Sequence, residues 1–170
     1  MVTANQHLTV AGELVTIRPI LATDVLMEAE FVSKLSPQTK HYRFFGGLKE
    51  LTAAQARAFC EVDGRHSMAF VATVNEHGRE IEIGVGRYAP NSKADVREMA
   101  VTISDEWQHK GLGKRLVEQL IASARDYGIK RLYSLELTEN SAMRELAHEL
   151  GMSSTRDPDD ANQVFYSLEV

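Results

Sequence analysis

The stretch WQHKGLGKRL, from Trp107 to Leu116, constrains the fold more than any other part of the chain. It follows the alternating segment DVREMAVTI, which predicts a β-strand, and it leads into apolar residues at the spacing of one helical face. A strand that enters a glycine turn and then a helix directs several unpaired backbone N–H groups to one point, where the helix dipole also favours negative charge. The stretch therefore predicts a phosphate-binding turn. The alternative is an ordinary helix start with a solvated basic face.

The glycines and cations of this turn suit a phosphate, but on these residues alone both interpretations stay open. Glycine at positions 111 and 113 lets the backbone approach a ligand with no Cβ in the way, while Lys110, Lys114 and Arg115 add local positive charge. The chain has no Gly-Lys-Ser/Thr, which argues against a Walker P-loop. The segment GVGRYA, at 84–89, lies inside a predicted strand and is not a dinucleotide fingerprint, so its glycines indicate a bulge or close packing.

Hydrophobic periodicity along the chain predicts strands first and then an alternation of strands and helices. This order implies an α/β (α+β) mixed sheet of about seven strands, with about four helices packed on it. The predicted strands are LVTIRPI, SMAFVATV, REIEIGVGRY, DVREMAVTI, KRLYSLEL and NQVFYSLEV. The predicted helices are DVLMEAEFVSKL, capped by Thr23 and ended by Pro37; AAQARAFCEV, capped by Thr52; the segment from Lys110 to Gly128; and SAMRELAHEL, between Asn140 and Gly151.

Length and composition suit a single domain over residues 1–170. With 44% hydrophobic and 25% charged residues, the chain can bury a core of its own. It has no apolar run of the roughly 18 to 20 residues that a membrane span needs. The N-terminal segment MVTANQHLTV lacks a charged stretch followed by an apolar one. We therefore expect a cytoplasmic protein with no membrane partner.

Charge and cysteine usage exclude several functions. A net charge of −5 argues against a general nucleic-acid binder, although an anionic ligand could still bind at a local basic spot. Cys60 is the single cysteine, which excludes an intrachain disulfide or a thiolate cluster and indicates a buried, unreactive thiol. The six histidines have no metal-binding spacing, and DPDD, at 157–160, is typical of a hairpin turn. The sequence predicts no metal.

Two motifs resemble those of a known family. VTISDEWQHKGLGKRLVEQLI is similar to the acyl-CoA signature of the GNAT superfamily of N-acetyltransferases, Gln/Arg-x-x-Gly-x-Gly/Ala after a strand. Gln108, Gly111 and Gly113 occupy its positions. NSAMRELAHELGM resembles the family's Asn-x-x-Ala segment, and Asn140 matches the residue that commonly bonds the pantetheine arm. The resemblance implies a GNAT-like fold with a mostly antiparallel central sheet, and acetyl-CoA as cosubstrate.

A narrower resemblance covers almost the whole chain. The segments VTIRPI, SPQTKHYRFFGGLKEL, SMAFVATV, IGVGR and REMAVTISDEWQHKGLG are similar to the acetyltransferase domain of bacterial Pat-type protein-lysine acetyltransferases. In that group the domain is usually fused to an acyl-CoA-synthetase-like or a cyclic-nucleotide-binding region. The 170 residues contain neither, so the resemblance does not imply regulation by such a region, and it says less about the substrate. The choice between monomer and homodimer stays open.

The resemblance also assigns site residues. It implies that Glu98, on the strand before the turn, is the general base that receives the amine proton. A carboxylate and a lysine ammonium differ by about 6 pKa units, so we expect the proton to pass through water. A strand N–H near Val101 to Ile103 is the expected oxyanion donor. The coenzyme contacts are expected at Val101, Ile103, Gln108, His109, Lys110, Gly111, Leu112, Gly113, Lys114, Asn140 and Met143.

One position departs from the superfamily. Many GNAT enzymes carry a tyrosine seven residues after the asparagine as the acid for the leaving thiolate, and here that residue is Ala147. A coenzyme A thiol is acidic enough to leave as thiolate and take its proton from water. Tyr127 and Tyr133, which we expect to be packing residues, are the first candidates if a protein acid is needed.

The sequence leaves the acceptor open. The leading hypothesis is an acetyl-CoA-dependent N-acetyltransferase for protein lysine. The first alternative is a GNAT enzyme for a small amine such as a polyamine, an amino acid or an antibiotic. The second is a non-catalytic acyl-CoA-binding sensor module, which the presence of Glu98 argues against. HYRFF, at 41–45, either lines the acceptor groove or belongs to the core.

Overall fold

The computed structural model describes residues 5–170, so the first four residues of the expected domain and of the N-terminal segment lie outside it. Over that range the chain forms one eight-stranded sheet, five α-helices and two short 3-10 turns. The strands are β1 (Gln6–Val10), β2 (Glu13–Pro19), β3 (Met68–Glu76), β4 (Arg79–Pro90), β5 (Val96–Ile103), β6 (Arg131–Leu137), β7 (Ser153–Arg156) and β8 (Gln163–Glu169). The helices are α1 (Val25–Lys34), α2 (Pro37–Phe44), α3 (Ala53–Cys60), α4 (Leu112–Asp126) and α5 (Ser141–Glu149).

The strands are arranged in the order β1-β2-β3-β4-β5-β6-β8-β7, and all neighbours are antiparallel except the pair β5 and β6. The mixed, mostly antiparallel sheet predicted from the sequence is thus confirmed. Two strands were not predicted, β1 and β7. Both lie at sheet edges. Strand β7 is exposed along its whole length and lacks the apolar alternation of a half-buried strand, whereas β1 has only five residues and just two apolar positions facing the core, Leu8 and Val10.

Both faces of the sheet carry helices. Helix α4 packs against β3, β4 and β5 through Leu112, Leu116, Val117 and Leu120, all fully buried. On the other face, α1 and α3 cover a second apolar cluster that contains the Cys60 thiol. Cys60 is buried as predicted, and burial raises the pKa of its thiol to about 12.

The glycines of GVGRYA serve both purposes predicted for them. A Cβ on Gly86 would lie 3.2 Å from Cβ of Leu116, and one on Gly84 would lie 2.9 Å from Cδ1 of Ile103. Helix α4 can therefore approach β4 closely here. Next to them the register between β3 and β4 shifts by one residue at Ala72/Thr73, which marks a β-bulge.

Two predicted helix boundaries were wrong. Thr23 does not cap α1; it lies in a 3-10 turn, Ala22–Asp24, whose Asp24 carboxylate accepts from Leu21 N at 2.7 Å. Pro37 does not end the first helical segment. Helix α1 ends at Lys34, and Pro37 begins α2 behind the N-cap Ser36. Proline suits a first helical position because its missing N–H would have no intrahelical acceptor there.

Candidate active site

A fork between two parallel strands forms the main cleft. Strands β5 and β6 pair through Val96–Glu98 and Arg131–Tyr133, and beyond Glu98 they separate. The gap is a cleft of about 580 Å³, lined by the second half of β5, the glycine turn, β6, and helices α2 and α5. Glu98 stands at the closed end of the fork, where the pairing stops.

The glycine turn at the end of β5 is shaped for an anion. His109 and Gly111 both adopt left-handed backbone conformations, with φ of 58° and 82°. The first bond into α4 runs from Arg115 N to Gly111 O at 3.3 Å, so the N–H groups of the first helical residues have no intrahelical acceptor. Alternating left-handed residues before a helix make a concave nest of N–H groups, which favours phosphate oxygens.

The structure brings the predicted site residues together at this cleft. With the exception of Lys110, every residue predicted for catalysis or coenzyme binding lines it. These residues are Glu98, Val101, Ile103, Gln108, His109, Gly111, Leu112, Gly113, Lys114, Asn140 and Met143. The Lys110 ammonium instead donates to the Glu106 carbonyl at 2.8 Å and lies 5.2 Å from the centre of the Trp107 ring.

The two amide side chains of the motifs bind protein atoms. Gln108 Nε2 donates to Ile103 O at 3.0 Å and to Thr39 Oγ1 at 3.2 Å, so it links β5 to helix α2. Asn140 Oδ1 accepts from Met143 N at 3.1 Å and caps α5. Its Nδ2 lies 3.5 Å from Glu136 Oε2. Both side chains therefore hold the walls of the cleft in place.

The backbone of β5 offers donors to the fork. Ser104 N donates to Ile83 O on β4 at 2.9 Å. Because successive residues of a strand direct their N–H groups to opposite sides, the N–H groups of Val101 and Ile103 point away from β4, toward the gap. The bond from Gln108 to the Ile103 carbonyl fits this direction.

Glu98 has a neighbour that the sequence placed among packing residues. Tyr133 Oη donates to Glu98 Oε2 at 3.3 Å, across the last paired position of β5 and β6. The Glu98 side chain is exposed, whereas Tyr133 is half-buried. Burial and the adjacent Glu98 carboxylate raise the pKa of the Tyr133 phenol.

A second carboxyl group in the cleft was missed. Glu136 on β6 is buried and accepts hydrogen bonds from Ser134 Oγ and Asn140 Nδ2. Burial raises its pKa to about 7, against the opposing effects of Ser134 and of the Arg43 charge. The alternation of KRLYSLEL could have shown that Ser134 and Glu136 share a face with the buried Leu132.

Helix α2, also missed, forms the wall facing β5. Tyr42, Arg43, Phe44 and Phe45 line the cleft, so HYRFF contributes to the groove. It also packs inward, because the Phe44 ring stacks on Phe59 of α3 with 6.5 Å between centroids. The core interpretation is thus confirmed for Phe44, whereas contact with an acceptor stays a prediction.

Other predicted features lie elsewhere. The segment at 157–160 joins β7 to β8 as a turn, in which Asp159 N donates to Asp157 Oδ1 at 2.9 Å. No helix within residues 5–170 is long and apolar enough to cross a membrane. Ala147 is 2% exposed and packs in the main core.

Comparison with known proteins agrees with this geometry. A family model described as the acetyltransferase (GNAT) family matches residues 36–152. Acetyltransferase PA5475 of Pseudomonas aeruginosa is 42% identical over 157 residues, which cover 92% of this chain and 84% of that protein. Acetyltransferase Pat of Mycolicibacterium smegmatis is 31% identical over 160 residues, 94% of this chain and 46% of that protein.

Solved structures show the same fold. The GNAT domain of S. lividans PAT superimposes with a TM-score of 0.87 at 24% identity, over 98% of this chain and 97% of that one. The protein yncA of Salmonella typhimurium, solved with its cofactor acetyl-CoA, gives a TM-score of 0.72 at 20% identity, over 91% of this chain and 93% of that one.

The forked sheet and its anion-binding turn are those of an acyltransferase that uses an acyl-CoA. The chain belongs to the acetyltransferase (GNAT) family, whose cosubstrate is acetyl-CoA.

Proposed function

We propose that this chain transfers the acetyl group of acetyl-CoA to a primary amine, with a protein lysine as the acceptor and Glu98 as the general base. The observation that carries the proposal is the fork: it has Glu98 at its closed end and the N–H nest at its open end. A long, thin cosubstrate with phosphates at one end and a thioester at the other suits such a cleft.

The coenzyme has a complementary partner at each part of the cleft. Its pyrophosphate binds the N–H groups of the glycine turn, with Lys114 beside them. The pantetheine arm lies between β5 and β6, where Asn140 and Met143 line the wall. The thioester then reaches the closed end, and the N–H of Val101 donates to its carbonyl oxygen.

The chemistry is a direct acyl transfer. The neutral amine attacks the thioester carbonyl, the new C–N bond forms, and the C–S bond of the tetrahedral intermediate breaks. The amine proton passes through a water molecule to Glu98, and the coenzyme A thiolate leaves and takes a proton from water. The Val101 N–H stabilises the oxyanion, which is where charge develops in the transition state.

The acceptor is proposed from likeness. The resemblance to Pat-type enzymes and the 31% identity to a Pat acetyltransferase support a protein lysine. A small amine remains the second candidate if it also carries a carboxylate, as an amino acid does. The cleft holds the cation Arg43, which forms no ion pair within the described residues and would bind that carboxylate. A sensor module without chemistry would have no use for Glu98 at the closed end of the fork.

One assay separates these functions. The purified chain is given acetyl-CoA and either proteins or small amines, and free thiol release is measured together with acetylated product. The proposal is supported if the chain acetylates lysine side chains and Glu98→Gln abolishes this turnover. If only small amines are acetylated, the second candidate replaces it. If the chain binds coenzyme A but shows no turnover with any acceptor, a non-catalytic sensor module becomes the supported function. The cytoplasmic location and the homodimer stay predictions.

A further inference from the structure

Arg43 is a cation without a partner at the wall of the cleft. It lies on α2 and lines the cleft together with Glu98 and Ala100 of β5. Its guanidinium forms no hydrogen bond or ion pair with any residue between 5 and 170; its contacts are with aromatic rings. An arginine has five N–H donors in a rigid fork, and no acceptor in the described part of the chain takes those of Arg43.

The other arginines that are removed from solvent are all paired. Arg18 binds Asp24 and Glu80, each at 2.8 Å. Arg87 donates to Glu28 at 2.8 Å and to the Phe59 carbonyl at 2.9 Å. Arg97 donates to three backbone carbonyls, at 2.8 to 2.9 Å. Arg43 is therefore the exception within the described chain, and it is the one that lines the cleft.

The guanidinium of Arg43 is held in place by rings and kept charged. Its Cζ lies 4.9 Å from the centre of the Phe44 ring and 5.8 Å from that of Phe59. Burial and the nearby Arg87 cation lower its pKa to about 10, which still leaves it protonated at neutral pH. Glu98 and Glu136 act on it through space, but neither forms an ion pair with it. The side chain is a half-buried cation whose guanidinium packs against aromatic rings.

We infer that the cleft receives a carboxylate of the substrate on the guanidinium of Arg43. This inference rests on the proposed acetyl transfer and narrows its substrate class. A fixed guanidinium pairs with a carboxylate through two parallel hydrogen bonds, which match in geometry as well as in charge. In the proposed reaction the acceptor amine faces Glu98. An acceptor that carries an amine and a carboxylate therefore matches the charges of Glu98 and Arg43, and this describes an amino acid or a lysine next to an acidic residue. A dicarboxylic acyl arm offers the same chemistry from the cosubstrate.

The test compares matched substrates. Free lysine and cadaverine carry the same terminal amine and differ in the carboxylate, and Glu-Lys and Gln-Lys peptides differ likewise. Succinyl-CoA and butyryl-CoA make the comparison on the acyl side with a common acceptor. We expect kcat/KM to favour the carboxylate-bearing member of one pair by about tenfold or more, the usual scale for a charge-assisted hydrogen bond. The pair that shows the preference identifies the source.

Variants assign the preference to Arg43. Arg43→Gln is expected to reduce the ratio to below about threefold, while Arg43→Lys, which keeps the charge and loses the fork, retains part of it. Arg57→Gln on the exposed side of α3 is the matched control and keeps the full ratio. Thermal melts of each variant check that it folds.

Three results would overturn the inference. The first is that no substrate pair shows a preference for the carboxylate, and the second is that the preference survives Arg43→Gln. The third is that Arg43→Gln raises the KM for acetyl-CoA equally with every acceptor, which would make Arg43 a coenzyme ligand. Calorimetry measures the same preference without turnover, by comparing the affinities of lysine and cadaverine for the chain saturated with coenzyme A. Absent turnover alone therefore contradicts the proposed function, and absent preference alone contradicts the role of Arg43.

Discussion

The Ser36 hydroxyl donates to Oδ1 of Asp105 at 2.6 Å. Asp105 also accepts from Ser36 N at 2.9 Å and from Thr39 Oγ1 at 2.8 Å. Ser36 is the N-cap of α2, and Asp105 lies between β5 and the glycine turn. One carboxylate thus joins the helix that forms one wall of the cleft to the segment that we propose binds the coenzyme.

Breaking this contact should loosen α2. Asp105→Ala is expected to lower the free energy of unfolding by about 1 kcal/mol, the scale of a lost helix cap. The kcat/KM for the acceptor should fall by about tenfold, while the Kd for coenzyme A, measured by calorimetry, changes less than threefold. Asp63→Ala is the control, because Asp63 also accepts several N–H groups, from Arg65, His66 and Ser67, but does not line the cleft. Equal kinetic losses in both variants would make the Asp105 effect one of general stability.

Gly111→Asp tests the turn. A Cβ at position 111 would meet no atom within 4 Å, but aspartate would have to adopt a φ of 82° and would bring a negative charge to the nest. We expect coenzyme A binding to be lost in calorimetry. Gly128→Asp, at the other end of α4 with a φ of 71°, carries the same strain and the same charge away from the cleft. Equal affinity of the two variants for coenzyme A would remove the turn from the binding site.

Glu98→Gln tests the base. Glutamine keeps the size of the side chain and loses the proton acceptor, so turnover should fall by about 10² or more while the Kd for coenzyme A stays the same. Tyr133→Phe, which removes only the donor to Glu98, is expected to cost less than tenfold. A Glu98→Gln enzyme with unchanged kcat across pH would exclude this mechanism.

Glu136→Gln should change how stability depends on pH. The pKa of Glu136 is raised to about 7 in the folded chain, so the folded form keeps its proton while the unfolded form loses it above about pH 4.5. Stability is therefore lost as pH rises from about 4.5 to 7, by up to about 3 kcal/mol.

A neutral glutamine does not titrate, so Glu136→Gln should gain stability over the wild type between pH 5 and pH 8. Chemical denaturation at the two values measures this difference, and Glu50→Gln in an exposed loop is the control. The same shift in both variants would mean that Glu136 titrates like an exposed carboxyl group.

The pH profile of turnover tests the leaving group. With Ala147 at the usual tyrosine position, we expect one ascending limb and no descending limb below about pH 9. A descending limb near pH 7 would implicate Glu136, whereas the Tyr133 phenol, whose pKa is raised above its usual value of 10, would give a limb only above that pH.

Ala147→Tyr should give no more than a few-fold gain in turnover. Because Ala147 is 2% exposed, the ring must also displace core side chains, at a cost of about 1 to 3 kcal/mol of stability. Ala122→Tyr on the exposed side of α4 should leave both turnover and stability close to wild type. A hundredfold gain in turnover would show that protonation of the thiolate limits the enzyme.

Local patterns in the sequence were sufficient for most of the fold. The strand, glycine turn and helix around Gly111 follow from alternation, glycine conformation and helical spacing, all of which act between residues close in the chain. Thr52 was predicted as a cap and Asn140 as the residue after which a helix begins, and each accepts a bond from a backbone N–H three residues ahead. Helix α2 was not predicted, because Pro37 was interpreted as the end of the preceding helix and not as the first residue of a new one.

The tertiary structure decided which side chains share the cleft. The pKa of Glu136 is raised to about 7 because β6 and α5 bury it beside Ser134 and Asn140, and Arg43 on α2 forms no ion pair with any carboxylate among residues 5–170. Burial and pairing depend on residues that are far apart in the chain. Arg43 and Glu136, for example, are separated by about 90 positions. The sequence by itself therefore determined the elements and the coenzyme turn, whereas only packing set the charges that the acceptor meets, because desolvation and distance exist only in three dimensions.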